Sequence, residues 1–108
     1  MQDNQLKIAT YIPQTCKSGI LEEIQNNLLW VAGGSTRHEA VGSWHDYQPP
    51  NQLVEEAVFV TTYFIKPQAS VAFDVALERL TSELHRLGEA SVMIERDNEV
   101  TFVGASVL

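Results

Sequence analysis

A single cysteine, Cys16, rules out an internal disulfide. With no disulfide to form, a reducing cytoplasm is the expected location. Positive charge is also scarce: 7 Lys and Arg stand against 14 Asp and Glu, a formal net charge of −7. Binding to duplex nucleic acid needs a basic surface that displaces counterions, and a polybasic membrane anchor needs one too. Neither nucleic acid nor membrane is therefore an expected partner. Long apolar runs are missing as well. The most apolar stretch is interrupted by Thr61 and Thr62, whereas a bilayer-spanning helix takes ~20 apolar residues. The opening Met1-Gln2-Asp3-Asn4 is polar and carries no apolar signal core.

What remains is an ordinary globular composition, 44% hydrophobic and 19% charged over 108 residues. That suits one domain, residues 1–108, with a single core. The stretch Leu53–Lys66 (LVEEAVFVTTYFIK) organises it. Between Ala57 and Ile65, apolar residues fall on both parities of a two-residue repeat. Val58, Val60 and Phe64 point one way; Ala57, Phe59, Tyr63 and Ile65 point the other. A half-exposed strand alternates apolar with polar, so this pattern predicts a central strand buried on both faces. Fourteen residues at ~3.3 Å each would reach ~46 Å, longer than a usual strand, so the strand either bends or projects as part of a hairpin arm.

The other elements follow from periodicity and punctuation. Gln5–Pro13 alternates as a first strand ended by Pro13. Ser18 is placed to cap a helix carrying Ile20, Leu21, Ile24, Leu28 and Val31 at helical spacing, stopped by Gly33-Gly34. Ser35–Trp44 is a more polar strand suited to an edge, and His45–Gln52, with Pro49-Pro50, is a loop. Ser70 caps a second helix, Val71–Leu87, with the stripe Phe73, Leu77, Leu80, Leu84, Leu87 and a stop at Gly88. Ala90–Glu95 is a fourth strand. Asp97-Asn98 is a tight turn, and Val100, Phe102 and Ala105 suggest a fifth strand.

The order βαββαβ with an added C-terminal strand predicts an α+β, ferredoxin-like fold: an antiparallel sheet with two helices on one face. The other face is then bare. If the third strand is buried on both sides, a partner must cover it, and a second copy is the simplest. A homodimer packed sheet to sheet, or through the hairpin arms, is the expectation.

Candidate chemistry clusters on the second and third strands. Pairing them through the Pro-Pro loop sets Trp44 opposite Leu53, Gly42 opposite Glu55, Ala40 opposite Ala57 and His38 opposite Phe59. One face then holds His38, Ala40, Gly42 and Trp44 with Glu55, Ala57, Phe59 and Tyr63, small residues ringed by aromatic and titratable ones, the composition of a pocket. His38 and Glu55 are the candidate catalytic pair, base and orienter or acid and base. Trp44, Tyr63, Phe59 and Gly42 are the candidate ligand-binding residues. The competing reading is that the small residues merely let a helix or second subunit approach.

Other motifs carry less. His45 and Asp46 are competent metal ligands, but no HxH, HExxH or CxxC spacing accompanies them, so no metal or cofactor is expected. Glu55 and Glu56 point to opposite faces of a strand. Cys16 precedes a helix N-terminus, where the dipole lowers a thiol pKa, yet no positioned His accompanies it. His85 suits a solvated place near the second helix's C-terminus. Gly33-Gly34 is not followed by a helix and is no phosphate loop.

The arrangement Gly33-Gly34-x-Thr36, Gly42-x-Trp44, a loop and Glu56 opening a long apolar strand resembles a set of small uncharacterised bacterial proteins. That resemblance implies a ferredoxin-like fold and supplies no activity. In outline the fold is also similar to dimeric α+β barrel proteins, which include small monooxygenases, isomerases and ligand-sensing domains. Two functions follow as expectations. One is a homodimer that binds a small molecule or a protein partner without chemistry. The other is a cofactor-independent enzyme of the dimeric-barrel kind using His38 and Glu55.

Overall fold

The computed structural model describes residues 5–46 and 51–104. The elements run β1 Leu6–Pro13, α1 Gly19–Ala32, β2 Ser35–Asp46, β3 Gln52–Ile65, α2 Ser70–Arg86, β4 Ser91–Arg96 and β5 Glu99–Gly104. One five-stranded sheet has the order β2-β3-β1-β4-β5, every neighbouring pair antiparallel. This is the expected ferredoxin-like α+β arrangement with a fifth strand at the edge. The expected Ala105 of that strand lies outside the described residues.

Each boundary has a local cause. Ser18 is extended (φ −160°, ψ 157°), and its Oγ accepts a hydrogen bond from the Leu21 N–H at 2.9 Å, an N-cap satisfying one of the orphan donors of α1. Gly33 ends α1 at φ 88°, with its N–H donating to the Leu29 carbonyl, the left-handed geometry that glycine adopts without strain. Asp97 and Asn98, at φ 48° and 71°, make the two-residue turn between β4 and β5 that a primed hairpin requires. Ser70 is not the cap that its position suggested. A 3₁₀ turn, Pro67–Ala69, begins directly after β3, so Ala69 takes the cap position and makes no side-chain cap bond.

The core lies between the helices and one sheet face. Ile8 and Ile12 of β1, Tyr63 and Ile65 of β3, and Val92 and Ile94 of β4 meet Leu21, Ile24 and Leu28 of α1. Phe73, Leu77, Leu80 and Leu84 of α2 complete it. Tyr63 and Phe73 pack ring to ring with centroids 5.3 Å apart and planes tilted by 59°.

A polar clamp ties the two helices. Glu83 is only 5% exposed. It receives Arg86 through both carboxylate oxygens at 2.6 Å and the Ser18 hydroxyl at 2.7 Å. Arg86 first, then Ser18, hold the Glu83 carboxyl down at about 2. A depressed carboxylate pKa stabilises the native state above the ordinary Glu value, and that contribution fades as pH falls from about 4.5 toward 2. In acid unfolding, Glu83→Gln should therefore flatten the stability profile over that window. Ser18→Ala should cost about 1 kcal/mol at neutral pH through the lost cap. Urea melts at pH 7 and pH 3 would check both.

β1 pairs with β3 only from Val58 to Ile65, while β2 pairs with β3 along its whole length, Ser35–Asp46 against Gln52–Tyr63. Residues 41–46 and 52–57 thus form a two-stranded arm beyond the rest of the sheet. The arm accounts for the elongated shape, 54 × 28 × 24 Å. Val41, Trp44 and Leu53 are its exposed apolar side chains.

Burial of the third strand on its second face is partial and is achieved within one chain: Val60 is buried there, and Val58, Thr62 and Phe64 are half-buried. Val60 faces away from the helices, beside Tyr11 of β1 and His38 of β2 in the register, and is 4% exposed. Ala9, on the same face of β1, is 6% exposed. Tyr11 donates to Glu95 at 2.8 Å across this face, so part of it is polar and satisfied. A second subunit is not needed to bury Val60. The apolar groups left exposed here lie toward the two edges, Val100 and Phe102 on β5 and Trp44 on the arm.

Candidate functional site

The register between β2 and β3 decides which residues can meet. It pairs His38 with Val60, Ala40 with Val58, Gly42 with Glu56 and Trp44 with Val54. This is one residue away from the pairing expected across the Pro-Pro loop, and a slip of one exchanges the faces. His38, Gly42 and Trp44 therefore lie on the open face, while Glu55, Phe59 and Tyr63 lie on the helix side. His38 and Glu55, both exposed, stand on opposite faces of the sheet. The shared concavity, and with it an acid–base partnership of these two, is not formed.

The remaining candidates separate in the same way. Tyr63 is 2% exposed beneath Phe73, a core residue rather than a lining one. Burial pushes its phenol up to about 12. Trp44 is 47% exposed on the arm. A Cβ at Gly42 would meet only the Glu56 carbonyl at 3.8 Å and a Val58 methyl at 3.9 Å, ordinary contacts, so spacing does not demand glycine there. Glu55 and Glu56 do point to opposite faces, and Glu56 accepts from the Thr15 hydroxyl at 3.3 Å. Of the candidates, Phe59 lines a cavity.

That cavity, about 500 Å³, lies on the helix side between the start of α1 and β3. Its position follows from how β1 ends. Pro13 terminates the strand, the Gln14 N–H donates to the Ala57 carbonyl, and the Cys16 N–H donates to Pro13, turning the chain toward the Ser18 cap. The floor is apolar, Ile12 and Leu21. Phe59 forms one wall, with the Arg37 guanidinium stacked over its ring at 4.0 Å from the centroid. Gln14, Lys17, Glu22 and Gln25 bring polar groups to the rim. Leu21, Glu22 and Gln25 share one helix face by their spacing.

Cys16 also lines this space. Burial, then the carboxylates of Glu89 and Glu56, raise its thiol pKa, the reverse of the dipole effect expected from its position ahead of α1. His85 is half-buried rather than solvated. Its Nδ1 lies 2.7 Å from the Glu89 carbonyl, which can only accept, so Nδ1 carries the proton. Among the described residues no three or more His, Cys, Asp or Glu side chains gather to hold a metal. The side chain of Asp46 lies outside the described residues. A second cavity, about 330 Å³, opens between α2 and the β4–β5 hairpin, lined in part by Asp74 and Arg96, which pair at 2.8 Å.

Arg37, Gln14, Glu22 and Gln25 were not singled out by sequence. Arg37 and Phe59 are diagonal neighbours on one face, two positions apart in the register, and that relation exists only once the pairing is known. Glu22 and Gln25 carried a readable signal, lying beside Leu21 on the face of an amphipathic helix.

No family model matches the chain, and no curated protein does. Two solved structures of a phage SAM lyase share its fold. One, in complex with S-methyl-5'-thioadenosine, is 14% identical, with a TM-score of 0.60 over 97% of this chain and 93% of that one. The other, in the apo state, is 12% identical, with a TM-score of 0.58 over 95% and 91%. At these identities the likeness shows a common fold: an α+β domain matched over nearly its full length. No helix among the described residues is long and apolar enough to cross a membrane.

Proposed function

We propose that this chain is a cytoplasmic, homodimeric α+β domain that binds a small molecule of the adenosyl thioether or sulfonium class. The observation carrying this reading is the near end-to-end fold match to a protein with S-methyl-5'-thioadenosine bound. The cavity beside α1 supports it. It is large enough for a nucleoside, and it has an apolar floor, an aromatic wall and two amides able to read a base edge. The strongly acidic chain, net −7, also favours approach of a cationic sulfonium.

Self-association is supported by exposed apolar groups at both ends of the open face and on the arm, Phe102 at 66%, Val41 at 66% and Leu53 at 56%. A two-stranded arm standing alone is marginal in water, so packing against a second copy would stabilise it. Light scattering on a sizing column should give twice the chain mass; a monomer at tens of micromolar would count against the dimer.

Thermal unfolding with S-methyl-5'-thioadenosine and with S-adenosylmethionine tests the ligand. At a hundredfold excess over Kd, a ligand bound only by the native state adds about 2.7 kcal/mol. For a domain this size that is a rise in Tm on the order of 10 °C. No rise with either compound at millimolar concentration would refute the reading. The same fold neighbour favours a second reading, in which the chain also cleaves S-adenosylmethionine. Chromatography of an incubated mixture, showing methylthioadenosine released above the uncatalysed rate, would support it.

A further inference from the structure

Two cations, Lys17 and Arg37, and one acid, Glu22, line the cavity beside α1. The chain is short of cations, and two of them, Arg86 and Arg96, are held in ion pairs with Glu83 and Asp74. Lys17 and Arg37, which both line the cavity, enter no ion pair among the described residues. Arg37 is held by the Phe59 ring instead. Stacking occupies the face of a guanidinium and leaves its in-plane N–H groups available, the fork that matches a carboxylate. Among the described residues, Glu22 is the only acid lining the same space.

One fixed guanidinium, one carboxylate and an apolar floor in a single cavity form a complement to an α-amino acid. We propose that this cavity holds the amino-acid head of an adenosyl ligand, with Arg37 receiving the α-carboxylate and Glu22 the α-ammonium. Lys17 adds positive potential at the rim, in the same sense as the N-terminal end of α1. The assignment rests on the adenosyl-ligand reading and narrows it. S-adenosylmethionine carries such a head and S-methyl-5'-thioadenosine does not, so the site selects the first over the second. No bond is made or broken in this step; it is recognition alone.

Calorimetric titration of the full chain with the two compounds tests it. The unaltered chain should bind S-adenosylmethionine at least tenfold more tightly than S-methyl-5'-thioadenosine. Arg37→Met should weaken S-adenosylmethionine binding by tenfold or more while leaving S-methyl-5'-thioadenosine within twofold. Arg37→Lys, which keeps the charge and loses the planar fork, should fall between. Glu22→Gln, on the exposed side of α1, should show the same discrimination and serves if Arg37→Met fails to fold. Equal losses for both compounds, or none for either, would overturn the assignment while leaving the adenosyl reading standing. Failure of the unaltered chain to bind either compound would overturn both.

Discussion

Phe73→Ala is expected to destabilise the domain by about 3–5 kcal/mol, the range for deleting a fully buried phenyl ring. Phe73 is 0% exposed and sits where α2 meets β3. Its ring rests on Tyr63 at 5.3 Å, so the substitution removes both the transfer energy of the ring and a tilted aromatic contact. The surroundings cannot collapse easily into the space. Leu80, Leu84 and Ile65, also in this core, are themselves 0–1% exposed and packed against one another. Against a total stability of roughly 5–15 kcal/mol, such a loss leaves a domain that is marginal or unfolded at 37 °C. Denaturant melts at 25 °C would check it. A loss under about 1 kcal/mol would mean that α2 does not seat where described.

Alkali is the second large perturbation. Burial raises the Tyr63 phenol to about 12 from its ordinary value near 10, and Arg37 offsets only part of that. The native state therefore keeps its proton where the unfolded chain would lose it. Stability should be intact below pH 10 and fall as pH rises from 10 toward 12, by about 2–3 kcal/mol for a shift of this size. Tyr63→Phe should remove most of that slope. Tyr11, whose phenol is raised by burial and by Glu95, remains and leaves a residual slope of the same sign. Equilibrium melts at pH 9, 10.5 and 11.5 would separate Tyr63→Phe from the unaltered chain. An unchanged slope in Tyr63→Phe would place the alkaline sensitivity elsewhere.

Much of the fold was legible because its signals were strong and redundant. Helical spacing, a Ser cap and a Gly stop agree for α1, and the Asp97-Asn98 pair fixes the last hairpin. The start of α2 was misread because Ser70 looks like a cap, whereas Pro67 opens a 3₁₀ turn that moves the helix entry forward to Ala69.

The candidate site was much less legible, for one physical reason. A register is pinned by a hydrophobic pattern only when one face of a strand is polar, and β3 is apolar on both. Nothing in Val58, Phe59 and Val60 says which of them should oppose His38. Loop length did not decide it either: the expected loop His45–Gln52 gives up His45 and Asp46 to β2 and Gln52 to β3, and 47–50 lie outside the described residues. One residue of slip sent Glu55, Phe59 and Tyr63 to the helix side and left His38, Gly42 and Trp44 behind. The same slip is what brings Arg37 over Phe59, so the cavity that replaced the expected site was hidden by the same uncertainty.

The homodimer expectation began from the double burial of β3. Val60 and Ala9 are covered by their own chain, which moves the case for a second copy to the arm and the β5 edge. Double-apolar parity identified the central strand correctly, but its burial is a matter of lateral neighbours, Tyr11 and His38, as much as of a layer above.

Backbone amide spectra recorded while S-adenosylmethionine is added would test the ligand site most directly. The cavity beside α1 predicts that the amides of Cys16, Ser18, Leu21, Arg37 and Phe59 move together and saturate. Those around Asp74 and Thr101, at the second cavity, should stay fixed. Shifts confined to the second cavity or to the open face, or none at all at millimolar ligand, would contradict it.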